Sequence, residues 1–249
     1  MLRWRRWKRI RERIPATVLT VLATLRSHGY QGFLVGGAPR DLLMGQLPQD
    51  WDITTDAQPE QIRTIFDRTI PLGEKFGTVR VLIDEEAFEV TTFRREGGYS
   101  DGRRPDWVEF TPSLLDDLGR RDFTINAIAL DPLEWRLVDP FQGVTDLKRR
   151  LVKAVGKPHA RFTEDPLRML RFYRFQSTLA FRGERLTERG IEAEAILKIS
   201  GERIRDELTK LLVGTAPEVG LMGMARSGLL TMIMPEFGPL LAADLNLFR

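Results

Sequence analysis

Between Ala16 and His28 the apolar residues Val18, Leu19, Val21, Leu22 and Leu25 fall at helical spacing, and Gly29 stands where such a helix would stop. Residues 33–35 form a short apolar run that predicts a buried strand. A helix over 38–44, a strand over 51–54 and a helix over 59–66 that opens on Pro59 follow. Two runs, 78–83 and 88–93, predict strands split by the acidic turn Asp84-Glu85-Glu86. Residues 96–105, EGGYSDGRRP, have no apolar anchor except Tyr99 and predict a glycine-rich loop, with one more strand at 108–110. From Ser113 onward the pattern is mostly helical, with a strand or turn around 129–138 and no internal repeat. The pattern predicts an α+β chain. A head of mixed sheet and helices covers residues 16–155, an all-helical neck covers 156–236, and 237–249 open further helices.

Composition narrows the chemistry. The chain has no Cys and only two His, His28 and His159, so disulfide frameworks, zinc clusters and a Ser-His-Asp triad are set aside. Both His are expected in surface or loop positions. No apolar run reaches the length of a membrane span, and a cytoplasmic protein is expected. The net charge of +3 is unevenly placed, because residues 1–13, MLRWRRWKRIRER, hold seven basic side chains against one acid. With Trp4 and Trp7 interleaved, this basic arm (residues 1–15) suits RNA phosphates and bases, a membrane surface, or a solvated tail.

The densest chemistry lies in residues 33–55, FLVGGAPRDLLMGQLPQDWDITT. Gly36-Gly37 lets backbone approach a ligand with no Cβ in the way, and Pro39 suits the first helical position. The helix N-terminus is an anion site, to which Arg40 adds a charged fork. Asp50 and Asp52, two residues apart on the expected strand, point to one face roughly 7 Å apart, with Trp51 turned into the core. Such a carboxylate pair can share two Mg²⁺ ions about 4 Å apart for in-line phosphoryl transfer.

The order GG-x-x-R-D-L-L-x-G followed by D-x-D resembles the first motif of class II nucleotidyltransferases of the polymerase-β superfamily. That family includes tRNA nucleotidyltransferases (CCA-adding enzymes) and bacterial poly(A) polymerases. Residues 120–127, RRDFTINA, resemble its second motif, which implies triphosphate and ribose contacts from Arg121, Asp122 and Asn126; the structural alternative is a capping Asp122 and a structural Asn126. Glu89 matches the superfamily's third acid, as a metal ligand or a base near the attacking hydroxyl, or is a solvent-facing strand residue. Asp139-Pro140-Phe141 with Gly143 also matches, as a structural turn.

Residues 164–168, EDPLR, look like the family's EDxxR motif, which reads the incoming base in place of a nucleic-acid template. Cytosine and adenine both present an amino donor beside a ring-nitrogen acceptor. An accepting Asp165 and a donating Arg168 complement that pair, and at i, i+3 they would share a helix face. Uracil and guanine reverse the order and leave both groups unpaired, at about 1–3 kcal/mol each. Arg171 and Arg174 continue the stripe toward nucleotide or phosphate. Residues 201–208, GERIRDEL, resemble the family's final motif and are read as structural.

The resemblance runs from about residue 16 to 236 in the family's order. Pro39 replaces a usual β-branched residue, and the family's helical body and tail are expected to be missing beyond a truncated start at 237–249. The resemblance implies a Mg²⁺-dependent enzyme that adds C and/or A from CTP and ATP to a tRNA 3′ end, releasing pyrophosphate. The LGEKFGTV and EVTTF segments look more like CCA-adding enzymes, and the 96–105 loop matches the family's flexible element. CC-only or A-only addition, poly(A) synthesis, and a non-catalytic nucleotide- or RNA-binding module are the alternatives.

Overall fold

A computed structural model describes residues 10–72, 76–98 and 106–243. The chain divides into two compact units, Met1–Gly97 with Trp107–Leu147 and Lys148–Arg249 with Gly98–Asp106. Their elements in the first unit are α1 (Ala16–Ser27), β1 (Gly32–Leu34), α2 (Gly37–Met44), β2 (Ile53–Thr55), α3 (Pro59–Ile65), β3 (Thr69–Pro71), β4 (Thr78–Ile83) and β5 (Glu86–Thr92). Then come β6 (Arg94–Gly97), β7 (Trp107–Phe110), α4 (Leu114–Gly119), β8 (Ala129–Asp131), β9 (Arg136–Val138) and α5 (Gly143–Lys148).

The first unit is built on a seven-stranded mixed sheet of order β3-β4-β5-β2-β1-β8-β9. β2 and β5 run parallel, with Ile53 opposite Val90, and the other neighbours are antiparallel. Period-two alternation gives the sheet two buried faces. Leu34, Ile53, Val79, Val81 and Val90 join α1 residues Val18, Val21, Leu22 and Leu25 in one core. Phe33, Val35 and Phe93 pack with Leu118 in a second. Ile10 and Ile14, from the basic segment, are buried in the first core; residues 1–9 of that segment lie outside the described ones.

Three local expectations are corrected. The strand at 51–54 is displaced, because β2 starts at Ile53 and Asp50-Trp51-Asp52 precedes it outside any regular element. Pairing still reaches that far, since Val35 N–H donates to the Asp52 carbonyl at 3.0 Å. The helix after the glycines starts at Gly37 with Gly36 as its cap, so Pro39 is its third residue; three N-terminal N–H groups lack helical partners anyway, which is why proline is tolerated there too. The loop expected from Glu96 begins later, because Arg94–Gly97 pairs with Trp107–Phe110 as a hairpin. The loop tip at 99–105 and the Gly73-Glu74-Lys75 part of the LGEKFGTV segment lie outside the described residues.

The second unit comprises β10 (Leu151–Val152), α6 (Pro158–Glu164), α7 (Leu167–Leu179), β11 (Arg182–Gly183), α8 (Arg185–Arg189), α9 (Gly201–Leu212), α10 (Pro217–Arg226), α11 (Leu229–Ile233) and α12 (Gly238–Ala243). It is helical apart from the short parallel pair β10·β11. α7 is its axis, burying Met169, Leu170, Phe172, Tyr173 and Phe175. α10 approaches it closely through Gly223, where a Cβ would lie 2.4 Å from the Tyr173 ring. No described helix is long and apolar enough to cross a membrane.

Candidate active site

The first unit gathers its predicted residues around the turn between β1 and α2. Gly36 has φ +70°, and a Cβ there would meet Asp52 Oδ2 at 3.0 Å and Arg121 Nη1 at 3.6 Å. Glycine therefore serves both the left-handed backbone and the space that a carboxylate and a guanidinium share. Asp50 and Asp52 are exposed, and neither carboxylate has a hydrogen-bond or ion-pair partner among the described residues. Extending the β2·β5 register by one residue sets Asp52 beside Glu89. Glu89 is half-exposed and ion-paired across the strands with Arg80 at 3.2 Å. Protein packed around the Asp52 carboxyl raises it above the ordinary carboxylate range; Arg121 opposes this, and the like charges of Glu89 and Asp50 add to it.

Beneath this edge lies an ion cluster that the sequence reading missed. Asp117, fully buried on α4, takes Arg120 Nε at 3.0 Å and Nη2 at 2.8 Å, and Arg121 Nη2 at 3.1 Å. Thr54 Oγ1 approaches its other oxygen at 3.3 Å, tying α4 to β2. Burial alone would raise Asp117, yet Arg120 and Arg121 outweigh it and hold the acid below its usual value. Arg120 also reaches Glu96 at 3.2 Å, beside Arg94 at 2.7 Å. Arg120 is thereby a structural cation, whereas Arg121 keeps a buried Nε with no partner and turns Nη1 toward Gly36. The signal was present in the sequence: Asp117 stands three and four residues before Arg120 and Arg121, the helical pairing distance.

Arg40, Asp122 and Asn126 form a second network. Arg40 donates through Nε and Nη2 to Asp41 at 2.8 and 3.1 Å, and through Nη1 to Asn126 Oδ1 at 2.8 Å. Asn126 Nδ2 in turn donates to Asp122 Oδ1 at 3.1 Å, which also accepts the Phe123 N–H at 2.7 Å. Asp122 and Asn126 are buried, with Asn126 holding Arg40 and Asp122 holding Asn126.

In the second unit the four predicted residues run from the break before α7 to its middle. Asp165 is extended (φ −141°, ψ 100°) in the break between α6 and α7, so it does not lie on a helix face as expected. Pro166 causes the break, having no N–H to continue α6. Asp165 Oδ1 accepts the Leu167 N–H at 3.1 Å, and Arg203 of α9 approaches Oδ2 at 3.2 Å. Arg168 is nearly buried and donates through Nη1 to Glu164 at 2.7 Å. Glu164 also pairs with Arg161. Arg171 and Arg174 share the buried Glu207, at 3.4 and 2.6 Å, and Arg174 lies over the Phe175 ring at 3.8 Å. Glu164, Arg203 and Glu207, the latter two read from sequence as structural, each hold a predicted site residue.

Similarity to known proteins follows the same two blocks. Residues 32–153 match the poly A polymerase head domain, and 191–241 match a probable RNA and SrmB-binding site of polymerase A. The CCA-adding enzyme of Lactobacillus helveticus is 50% identical over 198 residues, 79% of this chain and 49% of that protein. The CCA-adding enzyme of Geobacillus thermodenitrificans is 46% identical over 217 residues, 86% of this chain and 54% of that protein. The chain thus spans about half the length of the curated relatives it matches. Among solved structures, the Bacillus stearothermophilus CCA-adding enzyme in complex with CTP superposes with a TM-score of 0.78 at 43% identity, covering 86% of this chain and 52% of that one. The Thermotoga maritima CCA-adding enzyme complexed with tRNA gives 0.75 at 26% identity, covering 92% and 55%. With a polymerase-β-like head followed by a helical neck, the chain belongs to the class II nucleotidyltransferase family of CCA-adding enzymes and poly(A) polymerases.

Proposed function

We propose that the chain carries the nucleotidyltransferase site of a CCA-adding enzyme, which extends a tRNA 3′ end with C and/or A from CTP and ATP. The observation that carries this reading is the pair of carboxylates, Asp50 and Asp52, without hydrogen-bond or ion-pair partners among the described residues, with Asp52 beside the Gly36 turn and the Arg121 guanidinium. The residues fit a divalent cation: their donors are hard oxygens, and Asp52 carries like-charge stress from Asp50 and Glu89 that a cation would relieve. Among the described residues no group of three or more His, Asp or Glu is arranged to hold a metal ion, so Asp50 and Asp52 would hold Mg²⁺ together with triphosphate oxygens and water. Such ions, when bound, supply charge neutralisation at the reacting phosphate.

The chain's own groups do the rest. The Gly36-Gly37 turn and the α2 N-terminus present N–H groups to the triphosphate, with Arg121 and the oriented Arg40 as cations. Asn126, itself held by Asp122, positions Arg40, Asp122 and Asn126 stand as the ribose contacts, and Glu89 supplies a third carboxylate next to Asp52. In the second unit Asp165 accepts from the amino group of cytosine or adenine while Arg168 donates to the adjacent ring nitrogen. Arg171 and Arg174 add positive charge for the nucleotide. The RNA 3′-oxygen attacks the α-phosphate, and the bond to the β-phosphate breaks to release pyrophosphate. A cytoplasmic location accords with tRNA as substrate.

The test is a matrix of tRNAs ending before, within and after CCA against CTP and ATP. Stepwise addition that stops at A supports the reading, addition of C alone or A alone narrows it, and long adenosine tails replace it with polyadenylation. A chain that adds nothing, and binds CTP equally with Asp52→Ala, would be a binding module.

A further inference from the structure

Two segments of the second unit run side by side, with Arg182 opposite Leu151 and cations spaced alike along each. One holds Arg150, Lys153 and Lys157, and the other Arg182, Arg185 and Arg189, so each carries steps of three and then four residues. Backbone contacts hold the two segments together. Arg182 N–H donates to the Arg150 carbonyl at 3.0 Å, and Glu184 N–H to the Val152 carbonyl at 2.9 Å. Ala154 N–H donates to Thr187 Oγ1 at 3.0 Å, and Gly190 lies against Pro158. Lys148 and Arg149 extend the row at its start.

The charge is unbalanced. Residues 148–160 contain no acid, and the second segment contains only Glu184 and Glu188. Glu184 accepts Thr187 Oγ1 at 2.6 Å and pairs with Lys153 at 3.6 Å, while Glu188 accepts the Tyr173 hydroxyl at 3.3 Å. Lys148, Arg149, Arg150, Lys157, Arg182, Arg185 and Arg189 are exposed, and their side chains form no ion pair among the described residues. Seven exposed cations without ion pairs among the described residues repel one another, which favours an external polyanion.

We infer that this double row is a docking surface for the phosphodiester backbone of RNA, separate from the groups that hold nucleotide. The inference rests on the RNA acceptor of the proposed function. Seven residues separate Arg150 from Lys157, so the row extends no more than about 25 Å, enough for several successive phosphates. A repeating charge at regular intervals is what such a row matches, and a single small anion would leave most of it unused. Leu186 is the exposed large apolar residue within the two segments, too little to anchor a membrane surface.

The experiment compares the chain with Arg149→Ala/Arg182→Ala/Arg185→Ala for binding to a tRNA lacking CCA, across salt from about 50 to 200 mM. The dissociation constant should rise about tenfold, and the slope of log K against log salt should become shallower by about 2–3. CTP affinity should not change, and Arg→Lys at the same three positions should restore most of the binding. Unchanged affinity and slope in the Ala variant would overturn the inference while leaving the nucleotidyltransferase reading intact. Loss of tRNA binding in a chain whose wild type adds no nucleotide would do the reverse. Binding to phosphatidylserine vesicles that the Ala variant loses, with tRNA binding retained, would assign the row to membranes and overturn the inference.

Discussion

The acids of the first unit's site and those of the second unit's site are kept in opposite ways. Among the described residues the Asp50 and Asp52 carboxylates have no ion-pair partner, and burial of the Asp52 carboxyl, opposed by Arg121 and aided by Glu89 and Asp50, pushes it up. Asp165, Glu164 and Glu207 are each paired with an arginine. An acid that must receive a cation is best left unpaired, because any built-in cation would compete with the ligand. On the proposed reading Asp165 and Arg168 need their hydrogen-bonding direction set in advance, which the ion pairs to Arg203 and Glu164 would do. The same side chains therefore mean different things according to whether their charge is already answered.

The largest expected effect tests the open half of this contrast. Asp52→Ala should lower nucleotide addition by about 10³-fold or more, comparable to losing a main electrostatic contact in the transition state, while CTP affinity measured without divalent ions holds. Asp117→Asn comes next, because it removes the buried charge that two half-buried guanidiniums answer. A cost of about 3–5 kcal/mol is expected, seen as a melting temperature roughly 10 °C lower. Since Asp117 is held below its ordinary value, its contribution is present at neutral pH and is lost as pH falls through that depressed value. The gap between wild type and variant should then close in acid; a gap constant with pH would show that packing, and not charge, is at work.

Smaller effects sharpen the paired half. Arg203→Ala should raise KM for CTP and ATP by about threefold to tenfold with kcat nearly unchanged, and should weaken discrimination against UTP, as expected from loss of about 1 kcal/mol of preset orientation. A fall in kcat alone would place Arg203 outside base reading. The smallest effect is a gain. Asp52 is raised, so its folded form favours the proton, and that stabilising term is full below the ordinary carboxylate value and lost as pH rises through the raised one. Asp52→Asn should therefore melt about 1–2 °C higher at neutral pH, with the difference vanishing in acid and in saturating Mg²⁺.

Much of this was legible in the order of elements. The β1–glycine–α2–carboxylate succession is local, and β4 and β5 show their alternation directly. The boundaries around Asp50 and Asp52 were misplaced because pairing to Val35 extends the chain without making it regular strand. Asp117 was missed for another reason: in SLLDDLGRR it reads as one more polar position on a short helix, and only folding shows it facing Thr54. Glu164 was visible inside its motif, but its role depends on Pro166 breaking the helix so that Arg168 turns back to it. Sequence shows which charges exist; which of them answer one another is a property of tertiary packing.

The parallel junction of β2 with β5 has a consequence for the order of assembly. Asp52 and Glu89 become neighbours only after α3, β3 and β4 have been laid down between them. Their mutual repulsion is therefore imposed late, when the long-range pairing closes, and it opposes that closing step. A divalent ion that bound the completed edge would act first on the lifetime of the closed sheet. Unfolding rates should slow with added Mg²⁺ while refolding rates stay nearly constant, so that a bound ion would act as a kinetic latch on the fold.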